Sequence, residues 1–390
     1  MLETVRRLLQ RDAPSFEAVV ASHRIALLHD GEACFPGMLS AIARAEREVL
    51  LEMYWFDSDA TGRKFAAAMI ERARAGVRVC VIYDGFGSVE ADDAMFDEMR
   101  VAGCEVYEYN PIAPWRRRFR LGRLGIRDHR KLLVVDGRIA FTGGVNIGNP
   151  WASPRDGGQG WRDDMIRIEG PVALRIRAVF QRTWLDLGGS ELATLDGSGV
   201  AGPPDATEGR VLVLSSDYKR QQKQIRRAYL AEIRRAARYI FIANSYFVPD
   251  RIVRRSLARA VRRGVDVRVL LPAESDVKAV YYAARALYTW ILKRGIKIYE
   301  WHGGTVLHSK WGVIDDHWCT VGSFNLDYRS WRSNLELNVA VEDRAVAQAM
   351  RRRFELDLEQ AERIELRAWG YRPLLTRLLE AFFYLFRKLL

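Results

Sequence analysis

Cysteine is rare in this chain. Only Cys34, Cys80, Cys104 and Cys319 occur among 390 residues, and no two are spaced as CxxC. That argues against a disulfide framework and a thiolate zinc site, and points to a reducing compartment. Long apolar runs are also missing: no stretch of 18 uncharged apolar residues occurs, so no transmembrane helix is expected. The opening MLETVRRLLQRDAPSFEAVV has no apolar stretch of signal-peptide length. If such a chain works at a membrane, it must lie on it. Lysine and histidine are scarce too: nine of the 61 basic residues are lysine, and there are six histidines. The position of each is correspondingly informative.

Positive charge is abundant. Lys+Arg outnumber Asp+Glu by 61 to 49, a net +12, with a pI near 9.7. Such an excess predicts polyanionic partners: nucleic acid, anionic lipid or phosphorylated substrates. The hydrophobic fraction is 49% and the charged fraction 28%, the composition of a globular chain of two to three domains.

An internal repeat organises the chain. Residues 41–85 and 228–272 each read as a helical segment, an apolar strand (VLLEMYWF; YIFIANSYFV), a second helix ending in Arg-x-Gly-Val, and another strand (VRVCVIYD; VDVRVLLP). A helix then leads into GCEVYE (103–108) and GIKIYE (295–300), followed by HRKLLVVDGRIAFTGGVN (129–146) and HSKWGVIDDHWCTVGSFN (308–325). Helix and strand patterns alternate, which predicts α/β architecture. Residues 188–210 hold six Gly and two Pro, a linker composition. The expected organisation is an N-terminal α/β domain over 1–200, a similar C-terminal domain over 201–365, and an amphipathic C-terminal helix over 366–390.

The chemistry sits in the duplicated motif. His129-x-Lys131-x4-Asp136 recurs as His308-x-Lys310-x4-Asp315. With so few His and Lys, one chance copy is expected roughly 0.01 times, and two at equivalent repeat positions far less often. On a strand, residues i and i+2 share a face, so each His and Lys project together. Asp136 and Asp315 begin the turn that follows, where local structure is their expected task. A small-residue turn with Asn146 or Asn325 comes next, suited to phosphate oxygens. Aligning WRDDMIRIEG with SNLELNVAVE puts Asp163 opposite Glu336, each able to orient its His; Asp164 is the alternative in the first half. Two His, two Lys, two Asn and two carboxylates suit phosphodiester transfer through a covalent phosphohistidine. One His attacks phosphorus and the other protonates the leaving oxygen. Two ammonium groups stabilise the charge on phosphorus, so neither a metal nor a cofactor is called for. The other histidines, His23, His29, His302 and His317, read as surface or turn residues.

HRKLLVVD and HSKWGVID resemble the paired HKD motifs of the phospholipase D superfamily. Together with NPIAPW (110–115), WRDDMIRIEGP, ANSYFVPD and DDHWCTVGSFNLDYRSWRSNLELNV, they resemble the bacterial cardiolipin synthases, in particular the short form without transmembrane helices. The resemblance spans about residues 20–345. It implies two similar domains, each a mixed β-sheet flanked by helices, pseudo-twofold related with the active site between them. It also implies phosphatidyl transfer between two phosphatidylglycerols, giving cardiolipin and glycerol, with His129 as nucleophile and His308 as acid and then base. Water as acceptor, giving a lipid or nucleic-acid phosphodiesterase, is the competing reading.

Partners implied are anionic phospholipid, phosphatidylglycerol and cardiolipin among them, and a membrane surface; the expected location is peripheral, on the cytoplasmic face of a bacterial inner membrane. Two segments could provide attachment. PIAPWRRRFRLGRLGIR (111–127) sets Trp115 and Phe119 around Arg116, Arg117 and Arg118. The C-terminus (371–390) carries Leu375, Leu378, Leu379, Phe382, Phe386 and Leu389 at helical spacing, in a helix starting near Pro373 that either lies in the interface or packs on protein. Basic clusters set among large apolar side chains favour lipid over nucleic acid. The aromatic stretch 280–295 reads as core.

Overall fold

The computed structural model describes residues 16–116, 118–195, 208–217 and 222–389. The opening residues 1–15, part of the glycine-rich stretch (196–207) and Arg117 lie outside the described residues. The chain divides into two compact units, Met1–Val213 and Leu214–Leu390. The C-terminal helix falls within the second unit.

The first unit is built on an eight-stranded sheet. Its strands are β1 (Phe16–Val20), β2 (His23–His29), β3 (Glu48–Met53), β4 (Arg78–Asp84), β5 (Glu105–Tyr109), β6 (Lys131–Val135), β7 (Ile139–Gly143) and β8 (Asp164–Glu169), in spatial order β1-β2-β8-β7-β6-β3-β4-β5. Strands β3, β4 and β5 run parallel, joined by helices Ala60–Arg74 and Asp93–Val101, and β6 pairs antiparallel to β3. All six residues of β3, EVLLEM, are buried. A central strand covered on both faces has a near-continuous apolar run for this reason.

The second unit repeats the plan with nine strands: β9 (Arg210–Asp217), β10 (Gln222–Lys223), β11 (Tyr239–Asn244), β12 (Asp266–Pro272), β13 (Lys297–Trp301), β14 (Lys310–Ile314), β15 (Trp318–Gly322), β16 (Glu336–Glu342) and β17 (Ala361–Arg363). Their order is β10-β9-β16-β15-β14-β11-β12-β13-β17. The run β16-β15-β14-β11-β12-β13 reproduces β8-β7-β6-β3-β4-β5; the units differ at the sheet edges. The crossover helices start and stop alike. Asp59 and Asp250 accept backbone N–H groups as N-caps, and Gly76 and Gly264 take the left-handed conformation where each helix turns into its strand, with φ of 87° and 91°.

Tight turns carry the chain from β6 to β7 and from β14 to β15. Asp136-Gly137 and Asp315-Asp316 all have positive φ, and the Arg138 and His317 N–H groups close the turns on Val135 and Ile314. These are type I′ turns, which match the twist of the flanking strands. Helices Lys278–Arg285 and Tyr288–Leu292 bury Val280, Ala283, Tyr288 and Ile291, in line with a packing role.

Candidate active site

In the first unit, His129 lies two residues before β6 and Lys131 opens that strand. Both are buried, at 7% and 0% exposure. The motif is thus strand-like but only its second half is ladder-paired: Met53 of β3 pairs with Lys131. Lys131 Nζ donates to the His129 carbonyl at 2.7 Å. Tyr54 covers both side chains, its ring 4.8 Å from the His129 ring and 4.7 Å from Lys131 Nζ. Asn146 is buried too, and its Oδ1 accepts the Trp55 N–H at 3.1 Å. A backbone donor there fixes the amide orientation, so the Asn146 NH₂ is the end free to meet an anion.

In the second unit, His308 precedes β14 and Lys310 opens it, again buried. Lys310 Nζ donates to the His308 carbonyl and lies 2.8 Å from His308 Nδ1. The Asn325 Oδ1 accepts from the Ser245 hydroxyl at 3.0 Å.

Strand register shows which residues correspond. Gly144 donates to the Asp164 carbonyl, and Ser323 donates to the Leu337 carbonyl. Asp163 and Glu336 therefore stand at the same place, each fully buried. Asp163 accepts the Trp151 indole N–H at 3.0 Å and the Asp164 N–H at 2.8 Å. Its carboxylate lies against Gly144, where a Cβ would meet Oδ1 at 2.1 Å. At the Gly144 position the second unit has Ser323, whose hydroxyl donates to Glu336 at 2.5 Å, while the Asn334 amide reaches Glu336 at 3.3 Å. Asp164, the other candidate, pairs with His29 Nδ1 at 2.5 Å and with Arg162 at 2.9 Å.

The final Asp of each motif is elsewhere. Asp136 follows His129 by seven residues, about 20 Å of extended chain away. Its carboxylate accepts the N–H groups of Glu46, Arg47 and Glu48 at 2.8–3.0 Å. Asp315 does the same for Ala237, Arg238 and Tyr239 at 2.6–2.8 Å. Each clamps the entry to a central strand at the far end from its histidine, the local-structure task expected of it from the sequence.

Other singled-out residues have partners within the unit. His29 is tied to Asp164, and His23 accepts the Val172 N–H, so neither is a bare surface residue. Arg116 pairs with Asp93 and Glu108, and Arg118 stacks over Tyr107 at 4.4 Å, so these arginines are held to the body of the unit. Phe119 is half-buried, whereas Trp115 is 84% exposed. Phe382 and Phe386 are exposed.

Sequence reading missed a buried network beneath the first motif. Arg130 donates to Glu52 at 3.1 Å and to Thr183 at 2.8 Å. Burial, with the Glu52 carboxylate nearby, pushes the Asp128 carboxyl well up. Arg127 donates to Asp84, whose carboxyl is also raised by burial. The only signal was three charged residues, Arg127, Asp128 and Arg130, around one histidine. In the second unit, burial raises the Asp327 carboxyl to about 7.

Comparison with known proteins identifies the family. The family model described as cardiolipin synthase, PLD-like domain, matches residues 38–184 and 229–358. The chain belongs to the cardiolipin synthase family, a phosphatidyltransferase branch of the phospholipase D superfamily. A cardiolipin synthase of Geobacillus kaustophilus is 32% identical over 366 residues, covering 93% of this chain and 72% of that protein. Cardiolipin synthase B of Salmonella typhi is 34% identical over 341 residues, 84% and 79% of the two chains. Among solved structures, the phosphatidylserine synthase of Haemophilus influenzae shares the fold over all of both chains, with TM-score 0.72 at 14% identity. No helix among the described residues is long and apolar enough to cross a membrane.

Proposed function

We propose that the protein is a cardiolipin synthase that moves a phosphatidyl group from one phosphatidylglycerol to another through a phosphohistidine. The observation that carries this reading is the duplication. Each unit presents a buried His with a Lys at its side, an Asn, and a carboxylate in matching register.

A ring nitrogen of His129 attacks phosphorus, the bond from phosphorus to the glycerol oxygen breaks, and that oxygen takes a proton from His308. Glycerol leaves. The terminal hydroxyl of a second phosphatidylglycerol then gives its proton to His308 and attacks phosphorus. The P–N bond breaks and cardiolipin is released. Lys131, Lys310 and the Asn146 amide stabilise the charge on the non-bridging oxygens. The choice of His129 as nucleophile follows the family order of the two motifs.

Attachment is peripheral in this reading. Helix Leu374–Leu385 packs on Lys278–Arg285 through Phe383, stacked 5.6 Å from Tyr282, and buries Glu380 against Arg372 and Arg285. Its other side exposes Leu374, Leu375, Leu378, Phe382 and Leu385. Packing on protein and lying in the interface are thus compatible, one per face.

Purified protein given labelled phosphatidylglycerol in mixed micelles should yield cardiolipin and glycerol, identified by mass. Phosphatidic acid as the sole product would assign water as the acceptor and overturn the transferase reading.

A further inference from the structure

One cleft in the second unit is used by none of the chemistry above. Helix Arg251–Arg262 lines it with five arginines, at positions 251, 254, 255, 259 and 262, and Trp290 and Arg294 close the other side around a volume of about 390 Å³. The arginine spacing is i, i+3, i+4, i+8 and i+11, a single helical face. The opposite face carries the apolar contacts, burying Val253, Leu257 and Ala260.

This arrangement is costly in isolation. Like charges three and four apart on a helix destabilise it. Among the described residues, no carboxylate forms an ion pair with any of the six arginines. Arg254 and Arg294 stack on Trp290, at 5.0 and 3.8 Å from the ring centre. That holds two guanidinium groups at the cleft wall, and Arg254 Nε is buried with no hydrogen-bond partner among the described residues. Fork-shaped donors at this density match phosphate oxygens.

We infer that this cleft is an accessory site for the phosphate head group of an anionic phospholipid, lined by none of the residues of the histidine motifs. The inference rests on the phospholipid reading above. The volume, at the small end of ligand sites, takes a head group and leaves the acyl chains outside. The neighbouring surface favours lipid over nucleic acid. Trp290 is one helix on from Lys278–Arg285, the helix that carries the exposed apolar face of Leu374–Leu385. A bilayer can use both features, while a nucleic acid has no use for exposed leucines. The Trp290 ring is already covered by guanidinium groups, which leaves it poorly placed to stack on a base.

The test uses the full chain carrying Arg255→Gln, Arg259→Gln and Arg262→Gln, all exposed positions, beside the matching triple Lys variant. Binding is measured by co-sedimentation with phosphatidylglycerol–phosphatidylcholine vesicles and with pure phosphatidylcholine vesicles, in a His129→Ala background. The Gln variant should bind anionic vesicles at least ~10-fold more weakly at low salt, with little change on neutral vesicles. The Lys variant should keep most of the binding. With His129 intact, turnover of monomeric short-chain phosphatidylglycerol should be unchanged in the Gln variant. Equal sedimentation of the Gln variant and the parent overturns the proposal. So does a loss confined to binding of a DNA duplex, which would assign the cleft to nucleic acid. A parent that binds vesicles but turns over no phosphatidylglycerol would sink the enzymatic reading and leave the vesicle comparison intact.

Discussion

Where the first unit places Tyr54 close over its histidine and lysine, the second has Ser245 at the matching position and sets Tyr246 farther off, 6.2 Å from the His308 ring and 6.0 Å from Lys310 Nζ. The register fixes this correspondence, because Met53 and Asn244 pair with Lys131 and Lys310. The same shift of one residue sets Glu52 against Ala243, Asp128 against Leu307 and Arg130 against Ser309. One motif therefore rests on a buried charged network, and the other on a small, largely neutral one. The groups that would meet phosphate are kept, and the groups that hold them have been replaced. Two copies of one motif, nearly interchangeable on sequence, thus keep an aromatic neighbour at different places: Tyr54 lies 4.8 Å from the His129 ring, and Tyr246, one residue past the matching position, lies 6.2 Å from the His308 ring. Buried charge is kept at a cost in desolvation and rewards only complete pairing. The first unit is accordingly the one more sensitive to single substitutions.

The largest expected effect tests whether the units share one reaction. His129→Ala and His308→Ala should each lower turnover by roughly 10³-fold or more, with Lys131→Met and Lys310→Met close behind. Trapping a phosphohistidine in the His308→Ala protein, and none in His129→Ala, is the expected division; label on His308 reverses it.

Next comes the contrast in support. Arg130→Met strands Glu52 in the core and should cost about 3–5 kcal/mol. Ser309→Ala, at the matching place, should cost about 1 kcal/mol or less. Urea unfolding of the two variants measures this; equal losses would dissolve the contrast.

One pH effect comes from a position with no titratable counterpart in the first unit. Burial raises the Asp327 carboxyl from 3.8 to about 7, and its first-unit counterpart is Gly148. The folded state holds that proton more tightly than the unfolded chain. Stability from this group is therefore full below about pH 4 and is lost as pH rises towards 7. The loss is on the order of 2–4 kcal/mol. Asp327→Asn keeps the cap on Ser330 and should lower the slope of the profile between those limits, leaving the part due to other raised carboxyls such as Asp128 and Asp84. An unchanged slope in thermal unfolding would remove Asp327 as its source.

The smallest effect concerns what the units share. Asp136→Ala and Asp315→Ala each release three backbone N–H groups and should cost about 1–3 kcal/mol of stability. Turnover per folded molecule should stay within a few-fold of the parent. A loss of turnover matching the histidine variants, in protein that is still folded, would return these residues to the reaction.

Much of this was legible in the sequence. Alternating helix and strand periods predicted α/β units, and the repeat predicted that there are two. His129, Lys131, His308 and Lys310 stood out because their residue types are scarce and their spacing recurs. Asp163 was paired with Glu336 by alignment, and the strand register agrees. The expected domain edge at residue 200 lies outside the described residues, and the two compact units meet at Val213–Leu214. What escaped were residues without a counterpart in the repeat: Tyr54, Trp151, Ser323 and the Glu52–Arg130 pair. Their roles depend on which side chains a sheet brings together over separations of 12 to 91 residues, as in Trp151 with Asp163 and Trp55 with Asn146. Local periodicity carries no record of such pairings. The sequence alone determined the chemistry on offer, because nucleophile, ammonium and amide are properties of residue types at a fixed spacing. Only the tertiary structure decided how each is held, because burial and orientation depend on neighbours that the chain's order does not place together.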